Sequence, residues 1–274
     1  MTDALAVADY ACLREVVLRE SHNVLDPSCD FLFETRLAGV LRANGMSRLH
    51  ELVQRVRAGC DQELERAIAE AMTTRETSFF RDHRAFDLLR HELVPAMAEA
   101  RRSCRTLRLW SAACSTGQEA YSLAILLREH FGAETAWSLR IDGTDIATEA
   151  IERASRGVYH RIEMNRGLEP RHLALYFDLA GEQWQAGKGI RSLCRFQRLD
   201  LCRAPLMLRE RFDMILLRNV MLYFTHETRR ALLANVHRLL APDGILLLGS
   251  AEQTAESPLW AATLAGGACF YRPL

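Results

Sequence analysis

The sequence predicts an α/β protein: a doubly wound, mainly parallel sheet preceded by a small all-α N-terminal domain and carrying an inserted β-subdomain. Three observations predict it. Apolar positions recur at helical spacing over the first seventy or so residues, short apolar runs alternate with helical patterns after Leu107, and that alternation lapses into a glycine-bearing stretch between Glu169 and Gln197.

In the first segment Ala11, Leu13, Val16 and Val17, then Phe31, Phe33, Leu37, Val40 and Leu41, are spaced for helices. One helix is expected from Asp30 to Ala43. Asn44-Gly45 ends it by supplying a residue that tolerates positive φ, and Ser47 is placed to cap the next, which runs through Leu49, Leu52, Val53 and Val56. Gly59-Cys60-Asp61 separates that helix from another reaching about Met72.

Leu107 to Ala113 reads as a buried strand, Gly117 as the turn into an apolar helix from Ala120 to Leu127, and Trp137 to Thr144 as the next strand. Strand, helix, strand at this spacing means parallel pairing. A helix from about Thr148, a strand at Phe212 to Leu217, a helix over Arg229 to Leu240 and a strand at Ile245 to Leu248 continue the pattern, with Pro242-Asp243-Gly244 as a turn. Ala268 to Tyr271 adds an edge strand. Gly181, Gly187 and Gly189 mark the inserted β-subdomain, at about 170–197.

At 274 residues and 49% hydrophobic, the chain accommodates a normal domain plus a small helical one. Lys+Arg and Asp+Glu both number 35, so no tight binding to nucleic acid or to an anionic membrane surface is expected, and any partner must be met by a local patch. Apolar stretches are short and broken by charge, and no basic segment leads into an apolar run, so neither a membrane span nor a secretory signal is expected and the cytoplasm is the expected compartment. Eight cysteines (12, 29, 60, 104, 114, 194, 202 and 269) are scattered without a C-x-x-C pair, which predicts buried free thiols rather than disulfides or a metal site.

In an open parallel sheet, ligands bind beyond the carboxyl ends of the strands. After the first strand, small residues and Gly117 admit a ligand to the backbone, and Glu119 is placed to receive an ammonium group. After the second comes Asp145, suited to a ribose diol; after the third, Asp200-Leu201, suited to the edge and face of adenine; after the fourth, Asn219-Val220. Each alone is weak, since an Asp after a strand is more often a helix cap. Together they favour a nucleoside cofactor, and the lack of a G-x-G-x-x-G spacing disfavours a dinucleotide, whose pyrophosphate needs a cradle.

Thr73-Thr74-Arg75-Glu76-Thr77-Ser78-Phe79-Phe80-Arg81-Asp82, Trp110 to Glu119, Thr144-Asp145-Ile146 and Arg218-Asn219-Val220-Met221-Leu222-Tyr223-Phe224 resemble, in order, the motifs of CheR methyltransferases. Gly157-Val158-Tyr159 and Gly249-Ser250-Ala251-Glu252 are further matches. The resemblance covers nearly the whole chain. It implies the class I S-adenosylmethionine-dependent methyltransferase fold: a helical receptor-recognition domain at 1–74, a linker and connecting helix at 75–105, and a cofactor-binding methyltransferase domain at 106–274. Thr77, Arg81, Glu119, Asp145, Asp200, Leu201, Asn219 and Val220 would surround S-adenosylmethionine, with Arg81 and Tyr223 nearest the transferred methyl. The implied reaction esterifies glutamate side chains in the cytoplasmic helical region of methyl-accepting chemoreceptors. It yields S-adenosylhomocysteine and uses no metal; a monomer is expected.

Two positions depart from the family pattern: Arg75 stands where Asn is common, and Gln118 where Glu is frequent. The family docks receptors through a basic helix, yet Asp30 to Ala43 offers only Arg36 and Arg42, and a solvated helix face is the ordinary alternative for such arginines. Gly181 to Leu193 is short for gripping a receptor's tether peptide, so tether-independent action is expected, although an exposed strand edge there offers strand addition. The competing readings are a non-catalytic module binding cofactor or receptor, a methyltransferase acting on a small molecule or RNA, and a hydride-transferring dinucleotide enzyme. Retention of both Arg81 and Tyr223 argues against the first. Trp184 alone makes no base-stacking platform for the second, and the missing phosphate loop argues against the third.

Overall fold

Residues 7–59, 61–203, 210–254 and 257–274 are described by the structure, a computed structural model. The chain divides into two compact units, one of residues 1–74 with 223–229 and the other of residues 75–222 with 230–274.

The helical unit holds α1 (Val7–Ser21), α2 (Phe31–Arg36), α3 (Ala38–Ala43), α4 (Leu49–Arg57) and α5 (Gln62–Met72). Leu13, Val17, Phe33, Leu37, Leu52 and Ile68 are wholly removed from water, each contributing roughly 1.5–3 kcal/mol. The single helix expected over Asp30 to Ala43 is divided at Leu37, next to Gly39, a weak helix former. The Ser47 cap is also corrected: Arg48 holds the N-cap position of α4, and Ser47 turns its hydroxyl to the Glu51 carboxylate at 3.2 Å. Asp61 caps α5 by accepting from Leu64 N–H at 2.9 Å. At the other end of α5, Arg36 donates to the Met72 carbonyl at 2.8 Å, so this arginine serves a helix terminus, while Arg42 is exposed.

The larger unit opens with α6 (His83–Leu88), a π turn and α7 (Val94–Ala100). The strands and helices then follow as β1 (Thr106–Ala112), α8 (Gln118–Phe131), β2 (Ser138–Asp145), α9 (Thr148–Arg156), β3 (Val158–His160), α10 (Arg161–Met164), α11 (Pro170–Tyr176), β4 (Phe177–Ala180), β5 (Gln183–Ala186), α12 (Lys188–Arg191) and β6 (Cys194–Arg198). After β7 (Phe212–Leu217) come α13 (His226–Leu239), β8 (Leu240–Leu248), β9 (Trp260–Ala265) and β10 (Ala268–Pro273).

Seven strands form one sheet in the order β6-β2-β1-β7-β8-β10-β9, parallel throughout except for β10, which is antiparallel to both neighbours. The winding reverses between β1 and β7, which makes a crevice at their carboxyl ends. Ala112 lies level with Thr144 on one side and Leu217 on the other, so the residues that follow β1, β2 and β7 emerge along a common edge. Helix α8 is buried continuously from Ala120 to Leu127, as expected of a helix covered all round.

Several expectations change in detail. Ala268 to Tyr271 belongs to β10, an inner strand, and the edge is β9, whose mostly exposed Trp-Ala-Ala-Thr-Leu-Ala gives little alternation to read. Pro242-Asp243-Gly244 lies within β8, where the pairing register slips between Phe212 and Met214. The small sheet, β3-β5-β4, takes Val158–His160 from ahead of the expected insertion, while Cys194–Arg198 from that stretch runs in the main sheet. All described cysteines are free thiols, but only Cys114 is fully buried, Cys104 is exposed and Cys60 lies outside the described residues. Burial pushes the Cys202 thiol up to about 12 and raises Cys114 and Cys194 as well, which leaves them unreactive. Among the described residues no helix is long and apolar enough to cross a membrane.

Candidate functional site

The segment from Arg75 to Asp82 is anchored by two phenylalanines. Phe79, fully buried, meets Tyr159 and Phe177 edge-on at centroid distances of 5.2 and 5.4 Å. Phe80 stacks on His172 at 5.1 Å, and its N–H donates to Ser122 Oγ at 2.9 Å. Arg81 follows, half-buried between Phe80 (φ 48°) and Asp82 (φ 61°), both in the left-handed region that non-glycine residues avoid. Such a backbone persists only where its surroundings over-determine it, and here the aromatic anchors do so. Arg81 Nη1 donates to the Glu76 carbonyl at 2.8 Å.

Glu119 sits in the first turn of α8, behind Gly117 at φ +96°, where a Cβ would meet Ala154 Cβ at 2.9 Å. Its carboxylate accepts from Ser111 Oγ at 2.7 Å and from Arg218 Nη1 at 2.9 Å. Asp145 closes β2 and accepts from the N–H groups of Ser115 (2.8 Å) and Ala147 (3.0 Å). Burial pushes its carboxyl above the usual range, against the pull of those two donors. Asp200 holds the turn after β6 by accepting from Cys202 N–H at 2.9 Å, with Leu201 buried beside it. Asn219, at φ +59°, and Val220 form the turn after β7. Thr77 lines a cavity of about 220 Å³ with Arg75, Thr116, Gln118, Glu149 and Arg166, among others.

Thr77, Arg81, Glu119, Asp145, Asp200, Leu201, Asn219 and Val220 thus share one unit, where Ser115 links the Asp145 strand to the Arg75 carbonyl through its hydroxyl at 3.0 Å. Tyr223 belongs to the other unit, where its carbonyl accepts from Val24 N–H at 2.8 Å. Arg75 sends its guanidinium to Glu149 at 2.6 Å. Gln118 is buried and accepts from Thr116 Oγ1 at 2.8 Å.

A sequence profile described as CheR methyltransferase, SAM binding domain, matches residues 75–267. The chain belongs to the CheR methyltransferase family. It is 36% identical over 261 residues, 92% of this chain and 93% of the relative, to chemotaxis protein methyltransferase 1 of Pseudomonas aeruginosa. It is 32% identical to the Salmonella typhimurium chemotaxis protein methyltransferase, over 92% of this chain and 86% of that one.

Arg218 is the site residue that reading along the chain missed. Its side chain is 2% exposed; it donates to Glu119, to the Asp82 carboxylate at 2.7 Å and to the Arg81 carbonyl at 2.9 Å, and its guanidinium lies over the Phe86 ring at 5.6 Å. It therefore ties the Glu119 carboxylate to the Arg81 backbone. Its partners lie 99, 136 and 137 residues away in sequence, so the only local signal was its place in the motif ahead of Asn219. Arg218 also lines a larger cavity, about 720 Å³, with Asp82, Glu252, Leu264 and Tyr271 among its walls.

Proposed function

We propose that the chain transfers a methyl group from S-adenosylmethionine to glutamate side-chain carboxylates of bacterial chemoreceptors, forming glutamyl methyl esters and S-adenosylhomocysteine. The observation that carries this reading is the row of Asp145, Glu119 and the Asn219 turn along the carboxyl edge of neighbouring strands, in a chain of the CheR family. The donor set fits the cofactor. An ammonium group needs an anion, supplied by Glu119; a ribose diol needs acceptors, and Asp145 uses two of its roughly four lone-pair directions on backbone N–H groups. Asp200 and Leu201 offer a polar edge and an apolar face for adenine.

When bound, S-adenosylmethionine supplies a methyl carbon attached to a positive sulfonium. A glutamate carboxylate is already ionised near pH 7 and needs no general base. What the protein must do is hold the acceptor oxygen in line, roughly 3–3.5 Å from the methyl, with water excluded. Arg81 orients a carboxylate of substrate or cofactor, and the Tyr223 hydroxyl steers the acceptor oxygen. Arg81 must not bind the acceptor too tightly: a charge-assisted hydrogen bond contributes roughly 1.5–3 kcal/mol, and the acceptor loses its charge as it is esterified, so a firm pair would favour the ground state.

The acceptor is the cytoplasmic helical region of a methyl-accepting receptor, met by the helical domain at 1–74, and the enzyme works as a cytoplasmic monomer. The chemotaxis methyltransferase names of its relatives support this assignment. The test is transfer of labelled methyl to receptor-containing membranes, followed by mild alkali. Label released as methanol supports carboxyl methylation, whereas alkali-stable label, or cofactor binding with no transfer, overturns it.

A further inference from the structure

Three successive backbone N–H groups in the turn after β7 converge on one side chain from another loop. Glu252 Oε1 accepts from Val220 at 2.9 Å and Met221 at 2.8 Å, while Oε2 accepts from Asn219 at 2.7 Å and Gly249 at 2.8 Å. Consecutive N–H groups pointing into one concavity form a nest that attracts anions. Here the anion is the chain's own, and the residue is only 6% exposed. Gly249 is needed for the approach: a Cβ there would meet Asn219 Nδ2 and Glu252 Oε2 at 2.7 Å each.

We infer that Glu252 is the positioning residue of the cofactor site, holding the turn that presents Asn219 and Val220. The inference rests on the reading of those two residues as cofactor contacts. Asn219 stands at φ +59°, a left-handed conformation that asparagine tolerates better than most residues and that the four N–H bonds to the Glu252 carboxylate fix here. With Glu252 in place, all three N–H groups are satisfied and the turn is formed before any ligand arrives. Without it, the three donors face one another unpaired, the left-handed residue loses its support, and cofactor binding has to rebuild the turn. Glu252 touches no reacting atom in this account; it acts through Asn219 and Val220.

The substitutions separate acceptor chemistry from bulk. Glu252→Gln keeps the shape but sets an NH₂ group against two backbone donors, Glu252→Asp falls one methylene short, and Glu252→Ala opens space for a small carboxylate. Titration with S-adenosylhomocysteine should show Glu252→Gln weakened at least about tenfold, the loss expected for unpaired buried donors. Turnover at saturating cofactor should stay within about threefold of wild type, because uniform binding is what has been lost. Acetate, and not chloride at equal ionic strength, should restore affinity to Glu252→Ala, and Glu252→Asp should fall between wild type and Glu252→Gln. Wild-type affinity in Glu252→Gln overturns the inference, as does equal rescue by chloride. Variants that unfold instead of losing cofactor would assign Glu252 to stability alone and equally overturn it. A wild-type protein that binds no S-adenosylhomocysteine would instead bring down the functional reading, and the inference with it.

Discussion

Arg218 Nη1 lies 2.9 Å from Glu119 Oε2; the arginine side chain is buried, at 2% exposure, and the carboxylate is part-buried, at 13%. Removing one partner of such a pair strands the other in a poorly solvated place, at a cost of about 3–5 kcal/mol. Arg218→Met, similar in volume, should lower stability to urea by about 3 kcal/mol and raise the KM for S-adenosylmethionine, since Glu119 would keep only Ser111. Arg218→Lys keeps the charge but lacks the fork that reaches Glu119, Asp82 and the Arg81 carbonyl together, so it should recover part of the loss.

The anchoring of the Arg81 segment makes a second prediction. Phe79→Ala removes a fully buried ring lodged between Tyr159 and Phe177 and should cost about 3–5 kcal/mol. Gly167→Ala reaches the same segment from outside: a Cβ at Gly167, itself at φ +87°, would stand 2.0 Å from the Phe79 carbonyl oxygen. Because it displaces the backbone just ahead of Arg81, Gly167→Ala should weaken cofactor affinity as well as lower the melting temperature. A thermal melt and a binding titration on the same sample check both effects.

These contacts mark where reading along the chain stops. Strand β7 and helix α8 were legible because their apolar runs are long and buried on both sides, as in Phe212 to Leu217, where every residue is buried, whereas β1 and β2, which carry polar and half-buried residues, were legible from the strand-helix-strand spacing around α8. The residues that follow them, Glu119, Asp145 and Asn219, were legible because sheet topology alone brings strand ends together. Strand β9 was not, since an exposed edge strand has no core face to impose alternation. Arg218 was hidden for another reason: its partners arrive from two distant segments, at 81–82 and at 119, and no local spacing announces a guanidinium shared between them. The break at Leu37 escaped notice because the apolar spacing continues through it, as Leu37 and Leu41 both remain buried.

Asp145 carries the pH prediction. Burial raises its carboxyl, so the folded protein favours the protonated form more than the unfolded chain does. Its contribution to stability is therefore fully present below the unfolded carboxylate value and is lost as pH rises through the folded value. If Asp145 accepts from the ribose diol as proposed, ligand affinity runs the other way, because protonation removes that acceptor. Compared with Asp145→Asn, the wild type should gain stability and lose affinity for S-adenosylhomocysteine as pH is lowered through the range above 3.8, the ordinary value. Urea denaturation and binding titrations at stepped pH should show these opposite slopes, and the acidic limb of affinity should be absent from Asp145→Asn.

The final prediction concerns the two residues assigned to the methyl acceptor. Arg81 uses one donor on the Glu76 carbonyl, and its guanidinium has others to offer a carboxylate. Arg81→Ala leaves Phe79 and Phe80 in place, so the segment should still dock and the melting temperature should change little; kcat should fall about 10- to 100-fold, the scale expected when a reacting group is misplaced by about an ångström. Tyr223→Phe keeps the ring and removes only the hydroxyl, so a smaller loss, about tenfold, is expected with the fold intact. Steady-state transfer of labelled methyl, read beside a thermal melt, separates the two effects. Full activity in both variants would remove Arg81 and Tyr223 from the chemistry, and a loss that followed the melting temperature would make them structural.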